Sequence, residues 1–377
     1  MAIYLDCNAT TPLDPRVQDL ILHYMEDEFG NAGSRTHEFG LEPSRAVQEA
    51  RSQVATVVNA KPDEVIFTSG ATESNNLALL GLAQYGESHG KRHIVSTQIE
   101  HKAVLEPLEQ LAIRGFEVEL VSPNSGGWVE AEAIQRAVRP DTLLVSVMHA
   151  NNETGVLQPI SEIVAAVSGW DGFFHIDAAQ SFGKEPVTLC DRRIDLISAS
   201  SHKVFGPKGV GALIARRRRF ERLPLEPLMY GGGQEHGLRS GTSPVPLVAG
   251  FGLACELAIE ESVQRQAACE EYRKEVLSAL GGLGAMLHGD QERCMSHVVN
   301  LSIPGVNSEA AMLSLKGLIA ISNGSACTSE AYEPSHVLSA MGFAGDELEG
   351  ALRISWCHAT PRADWETVTQ LLGLLRT

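Results

Sequence analysis

The stretch Ile194-Asp195-Leu196-Ile197-Ser198-Ala199-Ser200-Ser201-His202-Lys203 decides how the chain is interpreted. It begins as a short apolar strand, ends in two serines, a histidine and a lysine, and is followed by the stop Gly206-Pro207-Lys208-Gly209. A lysine at the end of a buried strand is costly unless it has a task or a partner, so Lys203 is a candidate amine nucleophile that would hold a carbonyl compound as a Schiff base. The alternative is a surface lysine in a turn, which is the commoner case when this stretch is taken alone.

Outward from this stretch, short apolar strands alternate with helical segments. Strands are predicted at 65–68, 93–97, 118–121, 143–148, 173–177, 194–198 and 210–215. Nearly all-apolar strands are typical of a parallel sheet covered by helices on both faces, so the sequence predicts an α/β fold. We expect a mostly parallel seven-stranded sheet in a large domain, 14–255. A long helix over 247–280, broken once, would lead into a smaller α+β domain formed by 1–13 and 256–377.

Composition excludes several classes of protein. The 377 residues carry a formal net charge of −17, which argues against nucleic acid as a direct partner. The basic run Arg216 to Arg219 is either a solvated turn or a docking patch for an acidic partner. The sequence has no apolar run that is long enough to span a membrane, and it has no predicted signal peptide. We therefore expect a cytoplasmic protein. The seven cysteines have no CxxC pair, which fits neither a disulfide framework nor a zinc site; no metal is expected.

Polar side chains follow the predicted strands at the point where each strand ends. They are Thr72, His101, Asn152, Asp177, Gln180, Ser200, His202 and Lys203. Ligands of open α/β sheets bind beyond the carboxyl ends of the strands, so we expect these residues to form one site.

One end of this site suits a phosphate. The turn Ser69-Gly70-Ala71 leads into a helix and presents free backbone N–H groups there, although many such turns are purely structural. Thr72, Ser200 and His202 would add side-chain donors. With Lys203 as the amine, these residues match two requirements of a pyridoxal phosphate site.

The other end supplies the remaining requirements. Asp177 would keep a pyridine nitrogen protonated, and His101 would stack on the ring. Gln180 and Asn152 would hydrogen-bond to the phenolate oxygen or to the substrate. Taken singly, Asp177 is equally a turn or cap residue, and His101 is equally a structural histidine near a helix start.

Several segments in a fixed order extend this pattern over nearly the whole chain. They are Leu5-Asp6, Ala9-Thr10-Thr11-Pro12, Thr68-Ser69-Gly70-Ala71-Thr72-Glu73-Ser74-Asn75, Glu100-His101-Lys102, Asn151-Asn152-Glu153, Asp177-Ala178, Gln180-Ser181, Ser201-His202-Lys203, Arg239-Ser240-Gly241-Thr242 and Gly324-Ser325-Ala326-Cys327-Thr328. With them the chain resembles the cysteine desulfurases of the class-V aminotransferase-like, pyridoxal phosphate-dependent family. That resemblance implies a fold type I enzyme that acts as a homodimer.

The resemblance also implies a reaction and residue roles. L-cysteine would become L-alanine while its sulfur passes to Cys327 as a persulfide and then to an acceptor protein, with Lys203 and His101 as proton carriers. Ala71 would join Thr72 in holding the cofactor. Thr242 would reach the phosphate of the other subunit's cofactor. On its own, Cys327 is equally a packed thiol.

The substrate carboxylate is implied to lie near Arg353 and Asn152, with Asn31 as a weaker candidate. Three features depart from the iron–sulfur members of the family: Cys7 stands where tyrosine is common, Ala32-Gly33 replaces Pro-Ala, and the chain stops soon after its last helix. They favour a member that serves DNA phosphorothioation or another dedicated sulfur pathway over iron–sulfur assembly.

Two other functions stay open on the sequence. The first is a selenocysteine lyase or another pyridoxal phosphate β-lyase on the same fold. The second is a catalytically silent scaffold, because a fold does not by itself give a function.

Overall fold

The structure is a computed structural model that describes residues 2–323 and 334–376. Its strands are β1 Ile3–Tyr4, β2 Val65–Thr68, β3 His93–Thr97, β4 Glu117–Val121, β5 Thr142–Met148, β6 Phe173–Asp177, β7 Leu196–Ser200, β8 Gly211–Ala215, β9 Met286–Leu287, β10 Val298–Ser302, β11 Ile319–Ala320 and β12 Leu352–Ser355. Its helices are α1 Pro15–Glu26, α2 Leu41–Val57, α3 Ala71–Leu80, α4 Ala83–Ser88, α5 Lys102–Ile113, α6 Ala131–Ala137, α7 Ile160–Ala166, α8 Val245–Glu260, α9 Ser262–Gly281, α10 Ser308–Ser314, α11 His336–Ala340, α12 Asp346–Glu349 and α13 Trp365–Leu374.

The main sheet has seven strands in the order β2-β8-β7-β6-β5-β3-β4. Strand β8 runs antiparallel to both of its neighbours, whereas the other pairs are parallel. The prediction of a mostly parallel seven-stranded sheet is therefore confirmed.

Burial explains why these strands have nearly continuous apolar sequences. Every residue of β5, β6 and β7 is buried, since helices cover both faces of the sheet. Strand β4 lies at an edge, and its charged residues Glu117 and Glu119 face outward. Charged edge residues discourage pairing with another chain.

Strand register sets the position of the polar residues. Asp177 at the end of β6 lies opposite Met148 on β5 and Ser198 on β7. The chain leaves each of these parallel strands on the same side of the sheet, where their carboxyl ends lie. Ser200 and the short 3₁₀ turn Ser201–Lys203 thus start beside the end of β6.

Helix α8 packs closely against α2 on one face of the sheet. A Cβ on Gly252 would lie 2.5 Å from the Cα of Ala50, so glycine is required where the two helices meet. The predicted long helix is broken at Glu261, which separates α8 from α9 and pairs with Arg16 and Arg265.

A second group of strands holds both ends of the described chain together. Strands β12, β10 and β9 form an antiparallel sheet, and β1 pairs with β11 in parallel. The segment 6–11, called the arm, continues from β1 and forms a bridge between Asp6 and Ser355. The division into 14–255 and 1–13 with 256–377 stays a prediction.

Element boundaries differ from the prediction mainly at one place. The helix predicted to follow the turn Ser69-Gly70-Ala71 begins already at Ala71 and is interrupted at Gly81 and Leu82, which separates α3 from α4. The earlier start brings the helix N-terminus to the polar turn that precedes it. Among the described residues, no helix is both long enough and apolar enough to span a membrane.

Candidate active site

A cavity of about 630 Å³ lies beyond the carboxyl ends of the parallel strands. This volume is in the range of small-molecule and cofactor sites. Ten of the predicted residues line it, namely Ala71, Thr72, His101, Asn152, Asp177, Gln180, Ser200, His202, Lys203 and Arg353. The structure thus brings together residues that are spread over most of the sequence.

Lys203 is held against the arm. Its Nζ donates hydrogen bonds to the carbonyl oxygens of Asn8 and Ala9, the latter at 3.0 Å. Gln180 Nε2 donates to the same Asn8 oxygen at 3.0 Å. The Lys203 amine therefore lies at the wall of the cavity, where it can react with a bound carbonyl compound.

Asp177 is a buried carboxylate with two donors. Asn75 Nδ2 donates to Oδ2 at 2.8 Å, and the Ala179 N–H donates to Oδ1 at 2.9 Å. Both oxygens of the Asp177 side chain are therefore held in place at the wall of the cavity.

His101 caps the N-terminus of α5. Its Nδ1 accepts a hydrogen bond from the Ala103 N–H at 3.0 Å. Burial and the nearby Lys203 lower the pKa of His101, although Asp177 acts in the opposite direction. The imidazole is consequently neutral at pH 7, and because Nδ1 is an acceptor, its proton is on Nε2.

The N-terminus of α3 forms another wall of the cavity. Gly70 precedes the helix with φ +155° and ψ −179°, a backbone conformation open essentially to glycine alone. A Cβ there would lie 3.5 Å from Ser200 Oγ and would fill the space before the helix. The first N–H groups of a helix have no partner within the helix, so those of Ala71 and Thr72 can bind an anion.

His202 lies beside this wall. Its Nδ1 is 3.1 Å from Thr10 Oγ1. Burial, together with the charges of Lys203 and Lys208, lowers the pKa of His202 to about 4. The neutral ring can donate one hydrogen bond, and Lys208 adds positive charge to the same end of the cavity.

Arg353 approaches the cavity from β12. It is 1% exposed, and its Nη2 lies 2.6 Å from Asp6 Oδ1. Its Nη1 donates to the Asn152 carbonyl oxygen at 3.0 Å, and Asn8 Nδ2 donates to that oxygen at 3.1 Å. A buried guanidinium held in this way suits recognition of a carboxylate.

The structure places two of the predicted site residues away from the cavity. Thr242 and Asn31 are exposed and do not belong to the described residues that line the cavity. Asn31 instead accepts a hydrogen bond from the Gly33 N–H at 2.8 Å. Cys327 lies outside the described residues.

Sequence reasoning missed the roles of Asn8, Asn75 and Asp6. Asn8 contacts Lys203, Gln180 and Asn152 through its carbonyl oxygen or its amide. The signal was available, since Asp6 and Asn75 lie in the matched segments and Asn8 stands between two of them. The roles of an asparagine and an aspartate in an N-terminal arm depend on contacts with distant residues, and only the fold creates those contacts.

Glu100, which precedes His101, offers a test of this buried environment. Its Oε1 accepts hydrogen bonds from Thr97 Oγ1 at 2.7 Å and from the Met148 N–H at 2.8 Å. Burial raises the pKa of Glu100 to about 8. Between the ordinary pKa and this value, the folded state keeps a proton that the unfolded state loses, so Glu100 makes stability fall by about 1.4 kcal/mol per pH unit.

Replacing Glu100 by glutamine is expected to remove the fall in stability with rising pH that Glu100 causes, because the amide does not titrate and its oxygen accepts the same two hydrogen bonds. Urea unfolding at about pH 5 and about pH 8 measures the effect. The difference in unfolding free energy between Glu100→Gln and wild type should grow in favour of the variant as the pH rises. Glu109→Gln, on the exposed side of α5, should show no such growth. A difference that is constant with pH for Glu100→Gln would contradict the assignment.

Comparison with known proteins identifies the family of the chain. The family model for aminotransferase class-V matches residues 3–368. A mitochondrial cysteine desulfurase of Arthroderma benhamiae is 47% identical over 368 residues, which cover 97% of this chain and 73% of that protein.

Solved structures show the same fold. The crystal structure of DndA from Streptomyces lividans has a TM-score of 0.82 and 49% identity, and covers 93% of this chain and 98% of that one. A structure described as SspA in complex with cysteine has a TM-score of 0.84 and 35% identity, with coverage of 96% and 100%.

Proposed function

Because the chain belongs to the class-V aminotransferase family and is a cysteine desulfurase by its relatives, we propose that its cavity binds pyridoxal 5′-phosphate and L-cysteine. The observation that supports this most strongly is the convergence of Lys203, Asp177 and His101 on one cavity. The relative solved in complex with cysteine supports the choice of substrate.

The residues present fit this cofactor. Buried polar atoms of four cavity residues have no hydrogen-bond partner, namely Asn8 Oδ1, Asn75 Oδ1, Gln180 Oε1 and Arg353 Nε. A buried polar atom without a hydrogen-bond partner lowers the free energy of unfolding by about 1–3 kcal/mol. A polar ligand that hydrogen-bonds to such atoms removes this cost and so binds more tightly. The space before α3, which a Cβ on Gly70 would fill, suits a phosphate.

The phosphate would be held by the N–H groups of Ala71 and Thr72 and by the side chains of Thr72, Ser200 and His202. Thr242 reaches no described part of its own cavity, so its proposed contact with a phosphate requires a second copy of the chain. The homodimer therefore stays part of the proposal.

Asp177 would face the pyridine nitrogen, and Gln180 and Asn152 would lie toward the phenolate oxygen or the substrate. Lys203 would hold the cofactor between turnovers, and a cofactor bound here would supply an electron sink for the bonds at the α and β carbons of a substrate whose amine had replaced Lys203.

Proton transfer then depends on two side chains with different roles. His101 Nδ1 is occupied by the Ala103 N–H, so His101 presents a proton on Nε2 and acts as a donor. The Lys203 amine, once free of the carbonyl carbon, is the acceptor. The cap hydrogen bond supports the role proposed for His101.

Arg353, with Asn152, would bind the substrate carboxylate. Its Nη2 pairs with Asp6 and its Nε has no partner, so a carboxylate can add to the guanidinium without breaking the pair with Asp6. Asn31 lies on the surface and is the weaker candidate.

The sulfur of L-cysteine would pass to Cys327. Attack of the Cys327 thiolate on the substrate sulfur forms an S–S bond, and the carbon–sulfur bond breaks with its electron pair staying on carbon. Protonation of that carbon gives L-alanine and leaves a persulfide on Cys327. A final acceptor protein in DNA phosphorothioation or iron–sulfur assembly, and a cytoplasmic location, stay predictions.

Replacing Asp177 by asparagine tests the cofactor site. The amide keeps the shape but removes the negative charge opposite the pyridine nitrogen, so turnover of L-cysteine is expected to fall by on the order of 10²-fold or more. Asp177→Glu, which keeps the charge, should lose less. Cofactor absorbance and alanine release measure binding and turnover separately. Asp171→Asn, at a side chain that is 84% exposed, is the control. Normal turnover by Asp177→Asn would refute the assignment.

A further inference from the structure

A second cavity, called here the rear cavity, lies behind the active site. It has a volume of about 60 Å³, and its lining includes Cys7, Lys184, Arg265, Cys269, His297 and Cys357. Thr11 and Phe205 also line it, whereas Thr10 and Lys203 line the active site. The arm and the turn after Lys203 therefore separate the two cavities.

Two cysteines meet at the wall of the rear cavity. Cys7 and Cys357 are 1% and 6% exposed and form a buried cluster with Phe205. Thr360 Oγ1 donates a hydrogen bond to the Cys357 sulfur at 3.5 Å, and the Cys357 N–H donates to Thr360 Oγ1 at 2.9 Å. Both cysteines are reduced in this structure.

Backbone pairing fixes the relative position of the two thiols. The Cys7 N–H donates to the Ser355 carbonyl oxygen at 3.0 Å, and Asp6 and Ser355 form a parallel bridge. Cys7 and Cys357 therefore lie on adjacent, hydrogen-bonded chains.

The two sulfur atoms have different acidities. Proton sharing with Cys7 and the hydroxyl of Thr360 lower the pKa of Cys357 below that of an ordinary thiol. Contact with Cys357 and burial raise the pKa of Cys7 well above its ordinary value. Lys184, whose Nζ is 3.3 Å from His297 Nε2, adds positive charge that favours a thiolate. Of the two sulfur atoms, the Cys357 sulfur also accepts the Thr360 hydroxyl, which favours its thiolate, so Cys357 is assigned as the nucleophile and Cys7 as the resolving thiol.

We propose that Cys357 and Cys7 form a redox-active dithiol that a small hydroperoxide entering the rear cavity oxidises to an intramolecular disulfide. The Cys357 thiolate attacks one peroxide oxygen, the O–O bond breaks, and the other oxygen leaves with the electron pair. The resulting sulfenic acid is attacked by the Cys7 sulfur, which forms the S–S bond and releases water. Each cysteine sulfur loses one electron, and the peroxide takes up both.

The rear cavity matches this chemistry. A volume of about 60 Å³ admits a molecule the size of hydrogen peroxide. Gln266 in the lining is exposed, which gives the cavity an edge in contact with solvent. Within residues 2–323 and 334–376, no three His, Cys, Asp or Glu side chains are placed to hold a metal ion, so the thiols are not accounted for as metal ligands.

Disulfide mapping of the cofactor-loaded protein tests the proposal. The Cys327→Ala background removes one reactive thiol, and hydrogen peroxide is the probe. We expect the peptide containing Cys7 to be linked to the peptide containing Cys357, and dithiothreitol to reverse the link. Cys269→Ser, which removes a third thiol of the rear cavity, is the matched control and should leave the link intact.

A trapping experiment tests the order of attack. In Cys7→Ser the sulfenic acid on Cys357 has no thiol to resolve it, so dimedone should label Cys357. In Cys357→Ser, dimedone should not label Cys7. Cys7→Ala serves as a second variant, and cofactor absorbance confirms that each variant is folded. Absence of the linked peptide from the oxidised protein, or labelling of Cys7 in place of Cys357, would overturn the proposal.

Discussion

Cys327→Ala is expected to lower the release of the product L-alanine from L-cysteine by roughly 10³-fold or more, because no thiolate then accepts the sulfur. The variant should keep the colour of the bound cofactor, since the described cofactor residues are unchanged. Alanine and sulfide are both followed, with cofactor absorbance measured before and after L-cysteine is added. Loss of turnover without loss of cofactor is the signature of a missing sulfur acceptor.

Cys190→Ala is the matched control for this experiment. Cys190 is half-buried and lies outside the described residues that line the cavity, so its loss should leave turnover unchanged. Normal alanine release by Cys327→Ala would contradict the persulfide mechanism and would favour the β-lyase alternative. Cofactor-free wild-type protein would instead favour the silent scaffold.

Lys203→Ala is expected to remove the covalent link to the cofactor and to lower turnover by at least about 10³-fold, because the variant loses both the amine nucleophile and the proton acceptor. Lys203→Arg keeps a positive charge at the arm but cannot form the link, so it should be equally inactive. Absorbance of the purified protein detects the link directly, and borohydride trapping followed by mass spectrometry locates it.

Lys91→Ala is the control for the loss of a lysine, because Lys91 pairs with Asp171 at the surface. It should retain both colour and turnover. A cofactor that stays covalently bound in Lys203→Ala would show that another amine holds it, and the assignment of Lys203 would then be wrong.

The main sheet could be predicted because buried parallel strands have a distinctive sequence pattern. Their nearly continuous apolar runs and polar endings are enough to place Asp177 and Ser200 at the same edge of the sheet. The residues at the carboxyl ends of neighbouring strands are brought together by topology, so their clustering follows once the strand order is parallel.

Contacts between distant segments could not be predicted in the same way. The position of Asn8 depends on pairing with β12, and that pairing joins residues that are 347 positions apart. His101 was predicted as a ring partner, but its tautomer depends on a cap hydrogen bond to Ala103 that only coordinates reveal. The proposed role of Thr242 requires a second copy of the chain, and Cys327 lies outside the described residues.

The pairing of the arm with β12 has a consequence for synthesis of the protein. The arm leaves the ribosome 347 residues before Ser355, which binds the Asn8 N–H at 2.9 Å. Until β12 emerges, Thr11 can hold one end of the arm against His202, but the other end lacks its pairing with β12. A nascent chain can therefore fold its main sheet early, whereas the arm is held at both ends only after the C-terminal strand is made.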